Sequence, residues 1–253
     1  MPLSDDRAAA AVDALFARAL AAGENAARAR ALVDDCSDET LVAAVLRRAV
    51  PLAFLDAVAS VSPWAERPRV LACVVLNPRA PRALAQRLVG ALYWRDLAEV
   101  AATPRLAASV RARAESQLKD GLADMRLGER VTLARLATPP LLPLLLADAE
   151  PRVTEAALLN ARLREEDLVV ALRREDVRPP LIAATAECPR WQPSYAVKLA
   201  LVVQPKTPLP LALQRISSLV PRDLGRVAAD GTLRPLLRAA AEEVLQSSTA
   251  QRD

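Results

Sequence analysis

The chain has 253 residues, of which 53% are hydrophobic and 25% are charged, and its formal net charge is +4. This length allows one or two ordinary domains, and the composition is that of a globular rather than a disordered protein. The chain contains no histidine and only 6 glycines. The missing histidine excludes Ser-His-Asp and Cys-His nucleophile systems, and the scarcity of glycine disfavours phosphate-binding loops. The 20 prolines predict many helix ends.

The cysteines, the first residues and the apolar stretches predict the cellular compartment of the protein. Cys36, Cys73 and Cys188 are far apart and form no CxxC pair, which predicts free thiols in a reducing compartment. The first residues are acidic where a signal peptide is basic, and the most apolar stretch, 139–147, is far shorter than the roughly 20 residues of a membrane span. We therefore expect a cytoplasmic protein with no cofactor, no metal and no membrane contact.

Residues 1–66 predict short helices that form an N-terminal cap or divergent repeats. Ser4 is a candidate N-cap of the first helix, and Gly23 stands where that helix should end. Residues 37–40, with the sequence SDET, predict another N-cap before an apolar stretch.

From residue 67 to about 246 the chain predicts helical repeats. A ten-residue apolar box ends in a polar residue that is usually followed by proline, which moves the polar residue out of the helical region. Its four copies are residues 69–78, 130–139, 152–161 and 196–205. The last two intervals between their valines are 22 and 44 residues, which predicts a unit of 22 residues. A hinge is expected near 119–126 and a frayed tail at 247–253.

A self-alignment gives the strongest internal signal. Shifting the chain by 127 residues lays 77–118 over 204–245 without a gap, and 17 of the 42 positions are identical. The shared residues are mainly prolines, candidate caps and apolar positions. We infer that a packing unit was duplicated.

No run of alternating apolar and polar residues is present, so stacked short antiparallel helices, an all-α solenoid, are the predicted fold. Helices that end in Asn-Pro, Thr-Pro or Gln-Pro resemble those of bacterial leucine-rich-repeat-variant and HEAT-like α-solenoids. The resemblance covers residues 68–246. It implies a fold and no reaction; the iron–sulfur cluster of one leucine-rich-repeat-variant protein does not carry over, because only Cys36 lies in the corresponding region.

Two acidic features have structural interpretations. Asp96, Asp167 and Asp223 each precede a leucine at equivalent places, which predicts helix capping rather than a carboxylate array; loss of such a cap should cost about 1 kcal/mol. The acids at 165–167 fit the first turn of a helix without a metal. Trp191, in a proline-bracketed connection with Tyr195, is expected to staple neighbouring helices.

The basic residues offer a candidate surface. Between Arg67 and Lys119 the chain has ten basic and three acidic residues. These arginines either form a phosphate-binding face or are solvated side chains on several helices. The candidate residues are Arg79, Arg82, Arg87, Trp94, Arg95, Arg111 and Arg113.

Three functional hypotheses remain. The preferred one is a non-enzymatic interaction scaffold whose helical repeats present an extended surface to a protein partner. The alternative is a nucleic-acid-binding HEAT-like solenoid that uses the arginines of 67–119. An enzyme is disfavoured, because it would have to rely on carboxylates and arginines alone.

Overall fold

The computed structural model describes the backbone of residues 5–250 and the side chains of residues 7–247. This part of the chain contains 17 α-helices, three short 3-10 helices and no strand, so the predicted all-α helical repeat fold is confirmed. The predicted Ser4 cap and the last residues of the predicted 247–253 tail lie outside the described residues. The last helix runs to Ala250.

The chain divides into two compact units, Met1–Ala123 and Asp124–Asp253. This boundary falls within the interval 119–126, where the hinge itself stays a prediction. The helices of the N-terminal unit are α1 Asp5–Ala22, α2 Ala26–Asp34, α3 Glu39–Leu46, α4 Leu52–Val58, α5 Pro68–Val75, α6 Arg82–Leu88, α7 Trp94–Ala102 and α8 Ala108–Gly121. The odd-numbered helices pack in one row, while α2 packs on α4 and α6 on α8. The row of odd-numbered helices continues across residue 66, because α3 packs on α5.

The C-terminal unit repeats this two-row plan. Its helices are α9 Leu127–Leu136, α10 Leu142–Leu146, α11 Pro151–Leu158, α12 Glu165–Arg173, α13 Pro179–Glu187, α14 Tyr195–Val203, α15 Leu209–Ile216, α16 Pro221–Ala229 and α17 Pro235–Ala250. One row contains α9, α11 and α13, and also the pair α15 and α17; the other contains α10, α12 and α14. Val202, Ile216 and Leu224, from consecutive helices, are buried together in the core at its C-terminal end.

Two helix ends that the sequence predicts are confirmed, one at Gly23 and one within residues 37–40. Gly23 follows α1 with φ +56°, a conformation that side chains with a Cβ rarely adopt. Asp38 is the N-cap of α3, and its Oδ1 accepts hydrogen bonds from the backbone N–H groups of Thr40 at 2.8 Å and Leu41 at 3.3 Å.

Buried amide side chains join each row together. The last turn of a helix leaves carbonyl oxygens without partners inside the helix. Asn77, after α5, donates from Nδ2 to the carbonyls of Leu46 at 2.6 Å and Arg48 at 2.7 Å, at the end of α3. Asn160 and Gln204 make the same kind of paired bonds: Asn160 to Ala134 and Ala137 at the end of α9, and Gln204 to Leu172 and Arg174 at the end of α12. All three amides are at most 7% exposed.

Basic and indole side chains cap other helix ends in the same way. Trp64 Nε1 donates to the carbonyl of Val33 at 3.2 Å, and Trp191 Nε1 donates to that of Leu158 at 3.0 Å. Arg105 donates to the carbonyl of Leu76 at 2.9 Å. The interpretation of Trp191 as a staple is therefore confirmed: it is buried and joins the connection after α13 to the end of α11.

The duplication matches the structure helix by helix. With a shift of 127 residues, α6, α7 and α8 begin where α15, α16 and α17 begin. The packed pairs also correspond, since α7 packs on α8 as α16 packs on α17. We call residues 77–118 the first copy and residues 204–245 the second copy.

Two finer predictions are wrong. The boxes that end α11 and α14 belong to helices of different rows, so the interval of 44 residues is not two units of 22; the helices of one row begin at 127, 151 and 179. Asp96, Asp167 and Asp223 are not N-caps but lie in the first turns of α7, α12 and α16. In the first turn their negative charges still interact favourably with the positive end of the helix dipole.

We predict that Asn160→Ala lowers the free energy of unfolding by about 3 kcal/mol, because it leaves two carbonyls of the preceding helix end buried and unpaired. Asn160→Gln should recover most of this loss, since Gln204 makes the equivalent bonds. Urea unfolding followed by circular dichroism measures both. Asn25→Ala, which removes an exposed N-cap of α2, should cost only about 1 kcal/mol; equal losses at Asn25 and Asn160 would contradict the role given to the buried amide.

Candidate interaction surfaces

The seven candidate residues lie in the N-terminal unit on four neighbouring segments. These are the turn after α5 with Arg79, α6 with Arg82 and Arg87, the start of α7 with Trp94 and Arg95, and α8 with Arg111 and Arg113. All are exposed except Trp94 and Arg111, which are half-buried. That they form one binding face stays a prediction.

Several of these side chains have intramolecular partners. Arg79 forms an ion pair with Glu24 at 3.6 Å. The guanidinium of Arg95 lies 5.5 Å from the ring centre of Trp94, a distance suited to a cation–π contact. These contacts stabilise the N-terminal unit without a ligand.

Arg111 has a structural role that the second copy reveals. Its counterpart is Arg238, and the Nε atoms of both are buried and have no hydrogen-bond partner among the described residues. An arginine kept at the same place in both copies, with its stem inside the fold, belongs to the packing unit.

Arg111 and Arg113 are about 200° apart around α8, because a helix turns once in 3.6 residues. They therefore point to different sides of this helix.

The remaining arginines gather around α6 and α8. A cavity of about 310 Å³ is lined by Arg82 and Ala85 of α6, by Arg105 and by Ala107 and Val110 at the start of α8. Sequence reasoning counted Arg105 among the basic residues but did not select it. Its place after a Pro at the end of a helix, as in Arg79 and Arg190, is the signal that could have found it.

The helices α6 and α8 run in the same direction. The cavity brings their first turns together, and Gly90, just after α6, lies against the side chain of Gln117 near the end of α8. Along their helices, Arg87 and Arg113 lie between these two contact points, and both side chains are exposed. We call Arg82, Arg87, Arg105 and Arg113 the basic surface. None of the ion pairs found among residues 7–247 includes any of the four.

The second copy replaces every residue of the basic surface by an uncharged one. The replacements, in chain order, are Leu209, Gln214, Thr232 and Ala240. Arg95 and Arg111, by contrast, are kept as Arg222 and Arg238. Since both copies fold into the same helices, the packing unit does not require the four arginines of the basic surface.

The second copy instead exposes leucines. Leu213 of α15 is 37% exposed and Leu236 of α17 is 68% exposed, and α15 packs on α17. Half-buried Leu209 lies one turn before Leu213. We call these three residues the apolar patch; their counterparts in the first copy are Arg82, Gln86 and Ser109.

Tyr195 is held by the second copy. Its hydroxyl donates to Asp223 Oδ2 at 2.6 Å and accepts from the N–H of Val220 at 3.2 Å. Desolvation and the carboxylate of Asp223 both raise the pKa of Tyr195. This side chain therefore joins the start of α14 to the start of α16.

Two further concave regions contain charged side chains. A cavity of about 340 Å³ between α12, α14 and α16 contains Arg173, Arg226, Asp223 and Asp230, and a groove of about 570 Å³ follows α2 and α4. Within residues 7–247, no three carboxylate or thiol side chains lie close enough to hold a metal ion. None of the helices in the described part of the chain is both long and apolar enough to cross a membrane.

Comparison of the chain with protein-family models, with curated proteins and with solved structures finds no match.

The carboxyl group of Asp96, next to the candidate residue Arg95, should make the stability of the fold depend on pH. Burial and the nearby Glu99 raise its pKa, against the smaller opposing effects of Arg69 and Arg95. A carboxyl with a raised pKa binds its proton more tightly in the folded state, so its ionised form lowers stability at neutral pH and this cost disappears at low pH. We predict that Asp96→Asn raises Tm at pH 7 and that the gain shrinks as pH falls through the pKa of Asp96. Thermal unfolding between pH 3.5 and 7 measures it.

The matched control is the counterpart in the second copy. Asp223→Asn weakens the bond from Tyr195 and the ion pair with Arg226 at 3.4 Å, so it should lower Tm at pH 7. A decrease in Tm for Asp96→Asn at pH 7 would show that its carboxylate acts as a stabilising first-turn group instead.

Proposed function

We propose that this protein is a non-enzymatic interaction scaffold that binds a protein partner through the apolar patch of the second copy. Kinship with bacterial HEAT-like and leucine-rich-repeat-variant solenoids is part of this proposal. It is supported by the two rows of short helices and by their polar-Pro ends.

The observation that carries the proposal is the exchange between the copies. The packing unit folds with Gln86 and Ser109 in the first copy, so the leucines at 213 and 236 are not needed for the core. An exposed leucine has a free-energy cost in water that contact with a partner removes, about 2 kcal/mol for a side chain that becomes fully buried. Two such leucines on packed helices fit the centre of an interface of roughly 800 Å² on each partner.

The test uses residues that the fold already accepts. Leu213→Gln and Leu236→Ser place in the second copy what the first copy carries at the same positions. We expect the Tm of the double variant to stay within about 3 °C of the wild-type Tm. Its affinity for the protein partner should fall by about tenfold or more. The partner is captured with tagged full-length protein from the native lysate, identified by mass spectrometry, purified, and titrated against both proteins.

Leu144→Gln is the control, because Leu144 is exposed to a similar degree, 43%, on α10. A partner retained by this variant, lost by the double variant and insensitive to nuclease supports the proposal. Equal binding to wild type and to the double variant would overturn it, and so would a partner that disappears after nuclease treatment.

A further inference from the structure

We propose that the basic surface of the first copy binds the phosphate groups of a nucleic-acid strand, one of them in the cavity between α6 and the start of α8. This inference is independent of the apolar patch. It rests on the residues that line the cavity, on the number and spread of the arginines around it, and on the comparison of the two copies.

The cavity suits an oxyanion. Arg82 and Arg105 line it, and no Asp or Glu is among its lining residues. The bond from Arg105 to the carbonyl of Leu76 fixes the guanidinium and uses only one of its five N–H groups. Guanidinium groups bind phosphate oxygens in pairs of parallel hydrogen bonds, so two of them around one small cavity form a phosphate site with few degrees of freedom.

The charge extends beyond what a single phosphate needs. Arg82 and Arg87 are about 7.5 Å apart along the axis of α6 and about 140° apart around it, because each residue advances a helix by 1.5 Å and turns it by about 100°. Arg113 adds a charge on the parallel helix α8. The helix α6 has no acidic residue, and the acids of α8 are Glu115 and Asp120. Four positive groups on two parallel helices and the segment before α8 exceed what a single ion needs and suit several phosphates of one strand.

The neighbourhood favours nucleic acid over an acidic peptide. Protein interfaces bury an apolar centre within a polar rim. Beside the basic surface the side chains are polar, Gln86 on α6 and Ser109 on α8, where the second copy has Leu213 and Leu236. The two copies therefore present different chemistry at these equivalent positions: polar side chains beside arginines in the first, and leucines in the second.

The experiment measures binding of a fluorescein-labelled single strand of 12 deoxythymidines to the full-length protein by anisotropy, from 50 to 300 mM NaCl. The variant combines Arg82→Leu, Arg87→Gln and Arg113→Ala, each the residue that the second copy has at that position. We expect wild-type affinity to fall steeply with salt. The triple variant should bind at least tenfold more weakly at 50 mM, and its slope of log K against log[salt] should be smaller by about 2, since each phosphate contact contributes about 0.7 for a single strand.

The control removes the same number of exposed arginines from the C-terminal unit, by Arg173→Gln, Arg222→Gln and Arg234→Ala. Retention of affinity in this control, with loss in the first variant, supports the proposal. Equal losses in both variants would show attraction by net charge alone and overturn it, as would an affinity that does not change with salt.

Two competitors identify the ligand class. Inorganic phosphate that displaces the strand more effectively than chloride of equal ionic strength supports occupation of the cavity by a phosphate. Binding of inorganic phosphate without any binding of the strand would leave a small-anion site and overturn the nucleic-acid assignment. An acidic peptide that binds the basic surface when the strand does not would overturn it in favour of a protein ligand.

Discussion

The structure depends on how short helices satisfy the carbonyl oxygens of their last turns. A helix of eight or nine residues, such as α5 or α14, has four carbonyls at its end without partners in the helix, so nearly half of its acceptors need partners from elsewhere. Some of those partners are local, as when the N–H of Asn77 donates to the carbonyl of Val74 at the end of α5. At the ends of α3, α9 and α12 others come from the next helix of the same row, where the buried amides of Asn77, Asn160 and Gln204 donate to them. Stacking and hydrogen bonding are thus one interaction, because a helix that leaves the row also leaves buried carbonyls unpaired.

This arrangement explains why the duplicated copies could diverge on the outside. Their shared residues keep the helix ends, the buried positions and the arginine whose stem enters the fold, as Arg111 and Arg238 show. Positions such as 86 and 213 are outside that set. A glutamine in one copy and an exposed leucine in the other therefore change the surface that the helices present while both copies keep the same helices.

The sequence was sufficient to predict the helical class, many helix ends and the duplicated unit, because Pro, Gly and apolar spacing act locally. It was not sufficient for the row to which a helix belongs. The boxes ending α11 and α14 look alike, yet their amides bond to helices in different rows. Asn77 looks like a simple helix stop before Pro78, since nothing local indicates that its side chain reaches Leu46. For the candidate surface, the sequence supplied the arginines, but only tertiary structure separates the buried stem of Arg111 from exposed Arg82.

The cross-helix caps have a direction along the chain. In each amide and indole cap described above the donor follows its acceptor: Trp64 donates to Val33, Asn77 to Leu46, Asn160 to Ala134 and Gln204 to Leu172. During synthesis, a helix that has left the ribosome therefore stays incomplete until some 30 further residues emerge, because its closing donor has not yet been made. A chain shortened at its C-terminal side would likewise lose the donors that cap a helix remaining upstream of the cut, and the end carbonyls of that helix would be left unpaired. Part of the stability of each helix capped in this way is thus encoded in a later segment of the chain.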